Sequence, residues 1–480
     1  MTVDHDGSHG LPVIIQGGMG VGVSSWRLAR AVCEAGQLGV VSGTALDQLL
    51  ARRLQDGDPG GHMRRALDAF PLPAIADRVW QRLYVPGGKA ASASYLTLPM
   101  HAVPLSRDAQ ELMVVANFAE VWLAREGHDR PVGINYLEKI QIPHLASFYG
   151  AMLAGVQYVL MGAGIPLKVP GALDRLARHE PASYPLAVTG AQPGDDYAVD
   201  FVPREVVPIE LPPLMRPAFL AIVSSATLAT TMVKRANGRV DGFVVEGPTA
   251  GGHNAPTRGK LQLDAEGQPI YGERDLVDLG VLRALGLPFW LAGGHGTPEG
   301  LRAARDAGAA GVQMGTAFAF CEESGLRPEA KEAIAEDIRT GTVRIVTDAL
   351  ASPTGFPFKV VQVESAVSDA DIYAARPRIC DLGYLREPYR APDGSVGYRC
   401  AAEPLSLYTH KGGTSENTAG RKCLCNALVS SAGHPQVRAG RHVEPGIVTS
   451  GDALDDLRRF MPAGSSRYSA ADVIRTMLHT

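Results

Sequence analysis

Eight short β-branched apolar runs, several of them followed by a capped helical pattern, predict an α/β chain folded as a TIM-type (β/α)₈ barrel. Glycines clustered immediately after those runs support the same reading, because barrel active sites are built from the loops that leave the strand ends. The spacing between runs is uneven, so the barrel is predicted to carry long insertions at its C-terminal face and a further mixed, partly helical region after it.

In chain order the strands are PVIIQ (12–16), LGVVS (38–42), PVGINY (131–136), VQYVLM (156–161), AFLAIVSS (218–225), DGFVVEG (241–247), LPFWLAG (287–293) and AGVQMG (310–315). Ser24 or Ser25 can cap a helix from Trp26 to Ala35, Leu228 to Ala236 follows the fifth run, and Thr297 with Pro298 opens a helix through Ala307. The stretch from Arg52 to Arg130 reads as an insertion. In it Met63, Leu67 and Phe70, then Val79, Trp80 and Leu83, predict two short helices about the Pro71–Pro73 break. LQLDAEGQPIYGE (261–273) reads as a hairpin around Glu266 and Gly267. Following strand ends, these insertions are expected over the barrel mouth as a lid. The barrel is assigned to 10–350, and 351–480 to a C-terminal extension acting as lid or interface.

Composition narrows the partners. With 46 basic and 50 acidic residues the formal charge is −4, and no Lys/Arg tract offers the footprint of nucleic-acid or anionic-membrane binding. The most apolar stretch, Ala151 to Leu167, is broken by Gln157, Gly162, Gly164 and Pro166, and the first ten residues lack a signal-peptide pattern. Six cysteines, four of them after residue 379, are no secreted disulfide framework, so a cytoplasmic protein with reduced thiols is expected. Small-molecule partners remain, and the sequence allows a homo-oligomer.

The most specific chemical signal is LAGGHGTPEGLRAARDAGAAGVQMGTAFAFCEESG (291–325). Gly293 and Gly294, beside the helix opening at Thr297, and Gly315 with Thr316 can present backbone N–H groups to an anion. These are the loops after strands seven and eight, where barrels bind phosphate. VVEGPTAGGH (244–253) ends the sixth strand and puts His253 after Gly251 and Gly252. A neutral imidazole there is suited to taking a proton near neutral pH, although a loop histidine making one local hydrogen bond has the same signature. IIQGGMGVGVSS (14–25) brings four glycines to the first strand's end. No acidic residue follows on a neighbouring strand, so a close approach to a flat ring is favoured over a dinucleotide loop. Asn135, ending the third strand, can hydrogen-bond such a ring.

PVIIQGGMG, VGIN, VVEGPTAGGH and the 291–318 segment together resemble the motifs of the nitronate monooxygenases, FMN-dependent TIM-barrel enzymes, over roughly 10–325. The resemblance implies Gly17, Gly18 and Met19 beside the flavin ring, Asn135 and Gly252 on the cofactor, His253 as base, and Gly293, Gly294, Gly315 and Thr316 on the FMN phosphate. It also implies oxidative denitrification of nitroalkanes or nitronates with O₂. The alternative is an NAD(P)H-dependent enoyl-thioester reductase, since those flavoenzymes share the motifs. A phosphosugar or nucleotide barrel without flavin is a third class, although no cysteine lies between Cys33 and Cys321 to serve as the nucleophile of nucleotide dehydrogenases. The chain departs from the pattern at Glu246, where Gln is usual, and at Thr249, where an acid is usual. KCLCNAL (422–428) sets Cys423 two residues from Cys425, with Cys400 and His410 upstream. That spacing is poor for zinc or iron–sulfur, so buried thiols and no metal are expected.

Overall fold

Eight parallel strands close into a barrel: β1 (Ile14–Gln16), β2 (Gly39–Ser42), β3 (Val132–Leu137), β4 (Tyr158–Gly162), β5 (Ala218–Val223), β6 (Gly242–Glu246), β7 (Phe289–Ala292) and β8 (Gly311–Met314). Each coincides with one of the eight runs read from the sequence. The computed structural model describes residues 10–438 and 442–479, so the start of the chain, read above for a signal peptide, lies outside the described residues apart from Gly10. Seven neighbouring pairs form ladders, for example Leu291↔Val312 between β7 and β8 and Ile14↔Val312 between β1 and β8. The seam between β1 and β2 is held by a single bridge, Ile15↔Leu38. There the buried Gln16 side chain completes the ladder, its Oε1 accepting from Val40 N at 3.0 Å while its backbone N–H donates to Leu38 O at 2.9 Å.

Side chains from alternate positions fill the barrel. Ile15, Leu38, Val40, Leu160, Leu220, Val244, Trp290 and Ala292 form one buried inner cluster, so this is packed core and no pore. Trp290 can lie wholly buried because its indole N–H donates to Pro12 O at 2.7 Å, satisfying the one polar atom it carries inside. The outer faces of the strands pack against helices, among them Trp26–Glu34, His144–Leu153, Val169–Ala177 and Pro298–Asp306.

The long connection after β2 contains the two short helices expected around the proline break, His62–Asp68 and Pro73–Leu83. They are not a lid. Their apolar stripe, including Met63, Leu67, Phe70, Val79 and Leu83, is buried on the outer helix Arg107–Arg125, with Phe70 and Phe118 edge to face at 5.1 Å. That nineteen-residue helix is itself the helix of the second strand–helix unit, so the connection thickens the outer layer. The hairpin at 261–273 forms, with Leu263 bridging Pro269 and Asp264 Oδ1 accepting from Glu266 N and Gln268 N.

The division at residue 350 is revised. The last helix, Ala470–Leu478, packs against both Trp26–Glu34 and Pro298–Asp306, the position of the eighth helix of a barrel. Its start is fixed by a capping box between Ser469 and Asp472, and Val473, Ile474 and Met477 face inward. The residues between β8 and this helix are thus an insertion into the barrel and share its core. Among the described residues no helix is long and apolar enough to cross a membrane.

If Ala470–Leu478 completes the barrel, Ile474→Ala, emptying a site 4 % exposed, costs about 2–5 kcal/mol in denaturant unfolding. The transition should stay single; a separate early transition would show the C-terminal region folding on its own.

Candidate active site at the barrel mouth

A cavity of about 270 Å³ opens at the carboxyl ends of the strands. Every site residue named from the sequence lines it: Gly17, Gly18, Met19, Asn135, Gly252, His253, Gly293, Gly294, Gly315 and Thr316. No residue between 46 and 130 does. The other wall comes from the C-terminal insertion, through Leu382, Tyr384, Leu385, Leu428, Ile447 and Phe460.

The loop after β1 is fastened by its own polar groups. Ser24 Oγ donates to Gly17 O at 2.8 Å and accepts from Met19 N at 2.8 Å, and Asn135 Nδ2 donates to Gly18 O at 3.2 Å. Part of the Asn135 amide thus fastens the loop, leaving its Oδ1 for a ligand. Beside this floor the buried Oε1 of Gln313, on β8, has no hydrogen-bond partner. A buried acceptor left unpaired costs stability, and a ring N–H in the cavity would satisfy it.

At the ends of β7 and β8 the backbone turns sharply. Gly293 has φ +83°, and a Cβ there would lie 2.9 Å from Ala250 N and Thr249 Oγ1, so only glycine fits. Gly294 follows with φ +74°. The next helix is capped by its own Thr297, whose Oγ1 accepts from Gly300 N at 2.9 Å. Thr316 Oγ1 accepts from Gly451 N at 2.9 Å, which leaves its hydroxyl hydrogen free to donate into the cavity.

His253 belongs to a short strand, Gly252–His253, paired antiparallel with Phe358–Val361 from the C-terminal insertion. Gly251 lets that insertion come close, since a Cβ there would meet Ser450 C at 2.6 Å. The imidazole packs edge to face on Phe358 with ring centres 4.6 Å apart, and Nε2 shares a 2.8 Å hydrogen bond with Ser352 Oγ. Nδ1 has no protein partner among the described residues. Burial, reinforced by the charge of Lys139, drives its pKa well below the usual 6.5, so the ring is neutral near pH 7.

Sequence reasoning missed the charged groups around it. Lys139, just beyond β3, has its Nζ 4.5 Å from the Phe356 ring centre and donates to Thr354 Oγ1 at 3.3 Å; burial lowers its pKa to about 7, against the pull of Glu246. Glu246, noted above only as a departure, lines the cavity, and burial raises its pKa to about 7, against the pull of Lys139 and Lys359. Lys359 is buried and neutralised by Asp452 at 2.7 Å, and it also donates to Pro248 O. The position of Lys139 two residues past the end of β3 was the available signal. All six cysteines are free thiols; Cys400 and Cys423 are buried together, Cys425 lines the cavity, and His410 ends the helix Leu405–His410. Among the described residues no group of three or more His, Cys, Asp or Glu is arranged to hold a metal ion.

Fold and cavity together define a TIM-barrel protein whose mouth brings a glycine-lined loop, a paired glycine turn and a neutral histidine to one cavity. Residues 215–349, the stretch carrying β5 to β8, match the family model of the nitronate monooxygenases. It is 38 % identical over 117 residues to a nitronate monooxygenase of Pseudomonas aeruginosa, covering 24 % of this chain and 32 % of that one. It is 30 % identical over 156 residues to a 5-hydroxy-7a-methyl-1-oxo-octahydro-1H-indene-4-carboxyl-CoA dehydrogenase of Rhodococcus jostii, covering 32 % of this chain and 38 % of that one. The matches thus span about a third of the length of these curated relatives. A solved nitroalkane oxidase of Streptomyces ansochromogenes aligns over 97 % of this chain and 94 % of its own at 17 % identity, with a TM-score of 0.46.

The donor set fits a flavin: a ring N–H for Gln313, backbone amides and the Thr316 hydroxyl for a phosphate. Gly294→Val, which forces a branched side chain into φ +74° with its Cβ 3.3 Å from Thr249 Oγ1, should weaken flavin retention at least about tenfold, ~1.4 kcal/mol. Unchanged flavin content after dialysis would remove the turn from the binding site.

Proposed function

We propose that the protein is an FMN-dependent oxidoreductase that oxidises nitroalkanes or their nitronates with O₂. The observation that carries this reading is the neutral His253 on the wall of the cavity that holds the floor and phosphate turns, within the segment matched to the family. FMN is favoured over a larger flavin nucleotide because the paired turns at Gly293–Gly294 and Gly315–Thr316 suit one terminal phosphate. Bound there, it supplies the redox chemistry.

The protein's own work is proton transfer, orientation and exclusion of water. His253 Nδ1 accepts the proton of the carbon bearing the nitro group; the C–H bond breaks and its electron pair stays on the substrate as the nitronate. Leu382, Leu385, Leu428 and Phe460 keep water from the reacting carbon.

A second reading, NAD(P)H-dependent reduction of an enoyl thioester, is favoured by the apolar wall from the C-terminal insertion, which suits a longer substrate. The likeness to a carboxyl-CoA dehydrogenase supports the same alternative. Fast anaerobic bleaching of the flavin by NADPH, with no turnover of nitroalkane or nitronate, would select it.

Under the primary reading His253→Asn lowers turnover of a neutral nitroalkane by about 10²–10⁴-fold with flavin still bound. A preformed nitronate has already lost its proton, so its oxidation should fall far less. Equal rates of variant and parent on the neutral substrate would remove the base assignment.

A further inference from the structure

The C-terminal insertion brings two hydroxyls between His253 and Lys139. His253 Nε2 lies 2.8 Å from Ser352 Oγ, Ser352 Oγ lies 2.8 Å from Thr354 Oγ1, and Lys139 Nζ lies 3.3 Å from Thr354 Oγ1. Ser352 is fully buried, its Oγ also accepts from Thr354 N at 3.3 Å, and its carbonyl is gripped by Arg421 Nη1 at 2.7 Å. The turn is therefore fixed, and each hydroxyl has one neighbour on either side along the chain of contacts.

We propose that Ser352, Thr354 and Lys139 form a proton relay that sets the tautomer of His253, with Lys139 as its terminal proton store. This rests on the proposed acid–base role of His253; the three relay residues act through it and are positioning residues.

A hydroxyl has one hydrogen to donate, so the chain has two ordered states. With Lys139 an ammonium, Nζ donates to Thr354, Thr354 to Ser352 and Ser352 to Nε2, which leaves the ring proton on Nδ1. With Lys139 an amine, every bond reverses: Nε2–H donates to Ser352, Ser352 to Thr354 and Thr354 to Nζ, and Nδ1 is free to accept. When Nδ1 takes a proton from substrate, Nε2 passes its own to Ser352, Ser352 to Thr354 and Thr354 to Nζ. One proton enters, Lys139 gains one, and the ring ends neutral with no oxidant required.

The charges that bear on Lys139 are Glu246, which favours the ammonium, and His253, which stays neutral. Lys359 acts on Glu246 and is neutralised by Asp452. The neighbouring Glu138 is raised by burial and turned away to Gln141 and Tyr184. Lys139, held near 7, is thus poised to switch the chain around neutral pH. The sign follows: proton abstraction rises as pH passes upward through the lysine's titration, whereas proton donation from Nδ1–H falls.

The test is a ¹⁵N NMR titration of the His253 ring in the flavin-loaded protein, which needs no substrate. In the parent, Nε2 and Nδ1 should exchange pyridine-like and pyrrole-like shifts with an inflection near pH 7 while the ring remains neutral. Thr354→Ser, which keeps the hydroxyl, should retain it; Thr354→Val and Lys139→Met should lose it. Glu246→Gln should move it to lower pH. A parent ring without the inflection, or an inflection that survives in Thr354→Val, overturns the relay. Failure of nitroalkane turnover with the inflection intact would instead overturn the nitronate reading alone.

Discussion

The antiparallel pairing of Phe358–Val361 with Gly252–His253 is the contact on which the site depends. A barrel strand delivers its last residues to the mouth, but a glycine-rich loop beyond it has little to fix its conformation. Here the insertion between β8 and the eighth helix supplies a strand for that loop, an aromatic wall for the imidazole and a hydroxyl for Nε2. It also contacts the turn after β8, where Gly451 N donates to Thr316 Oγ1. One insertion therefore positions both His253 and the Thr316 turn, and its return to the barrel as Ala470–Leu478 ties that arrangement to the core.

Burial then determines the chemistry. His253, Lys139 and Glu246 are pushed by loss of water toward their uncharged forms, the histidine well down, the lysine down to about 7 and the carboxyl up to about 7. Such a site can exchange protons near neutral pH without large reorganisation. The paired Lys359 and Asp452 hold the adjoining backbone, since Lys359 also donates to Pro248 O.

Much of the fold was legible because parallel barrel strands are buried on both faces and read as unbroken β-branched runs. The glycine turns and His253 could be placed at the mouth because they follow strand ends, and they line the cavity there. What was hidden depends on contacts distant in sequence. His253 meets Ser352 across 99 residues, and nothing local to ALASPTGFP announces a partner. Lys139 reads as an ordinary loop lysine until Phe356 and Thr354 close over it. The short helices after β2 were expected over the mouth because they follow a strand end; their apolar stripe instead found the outer face of Arg107–Arg125. The eighth helix has a clear apolar face, but the long insertion before it disguised it as part of an appendage.

On the proposed reading, the cavity framed by the barrel mouth and the C-terminal insertion holds one FMN. Mass analysis of what the purified, flavin-reconstituted protein releases on denaturation tests this most directly. FMN at one equivalent per chain is expected; release of FAD, or of no flavin at all, would overturn the FMN assignment.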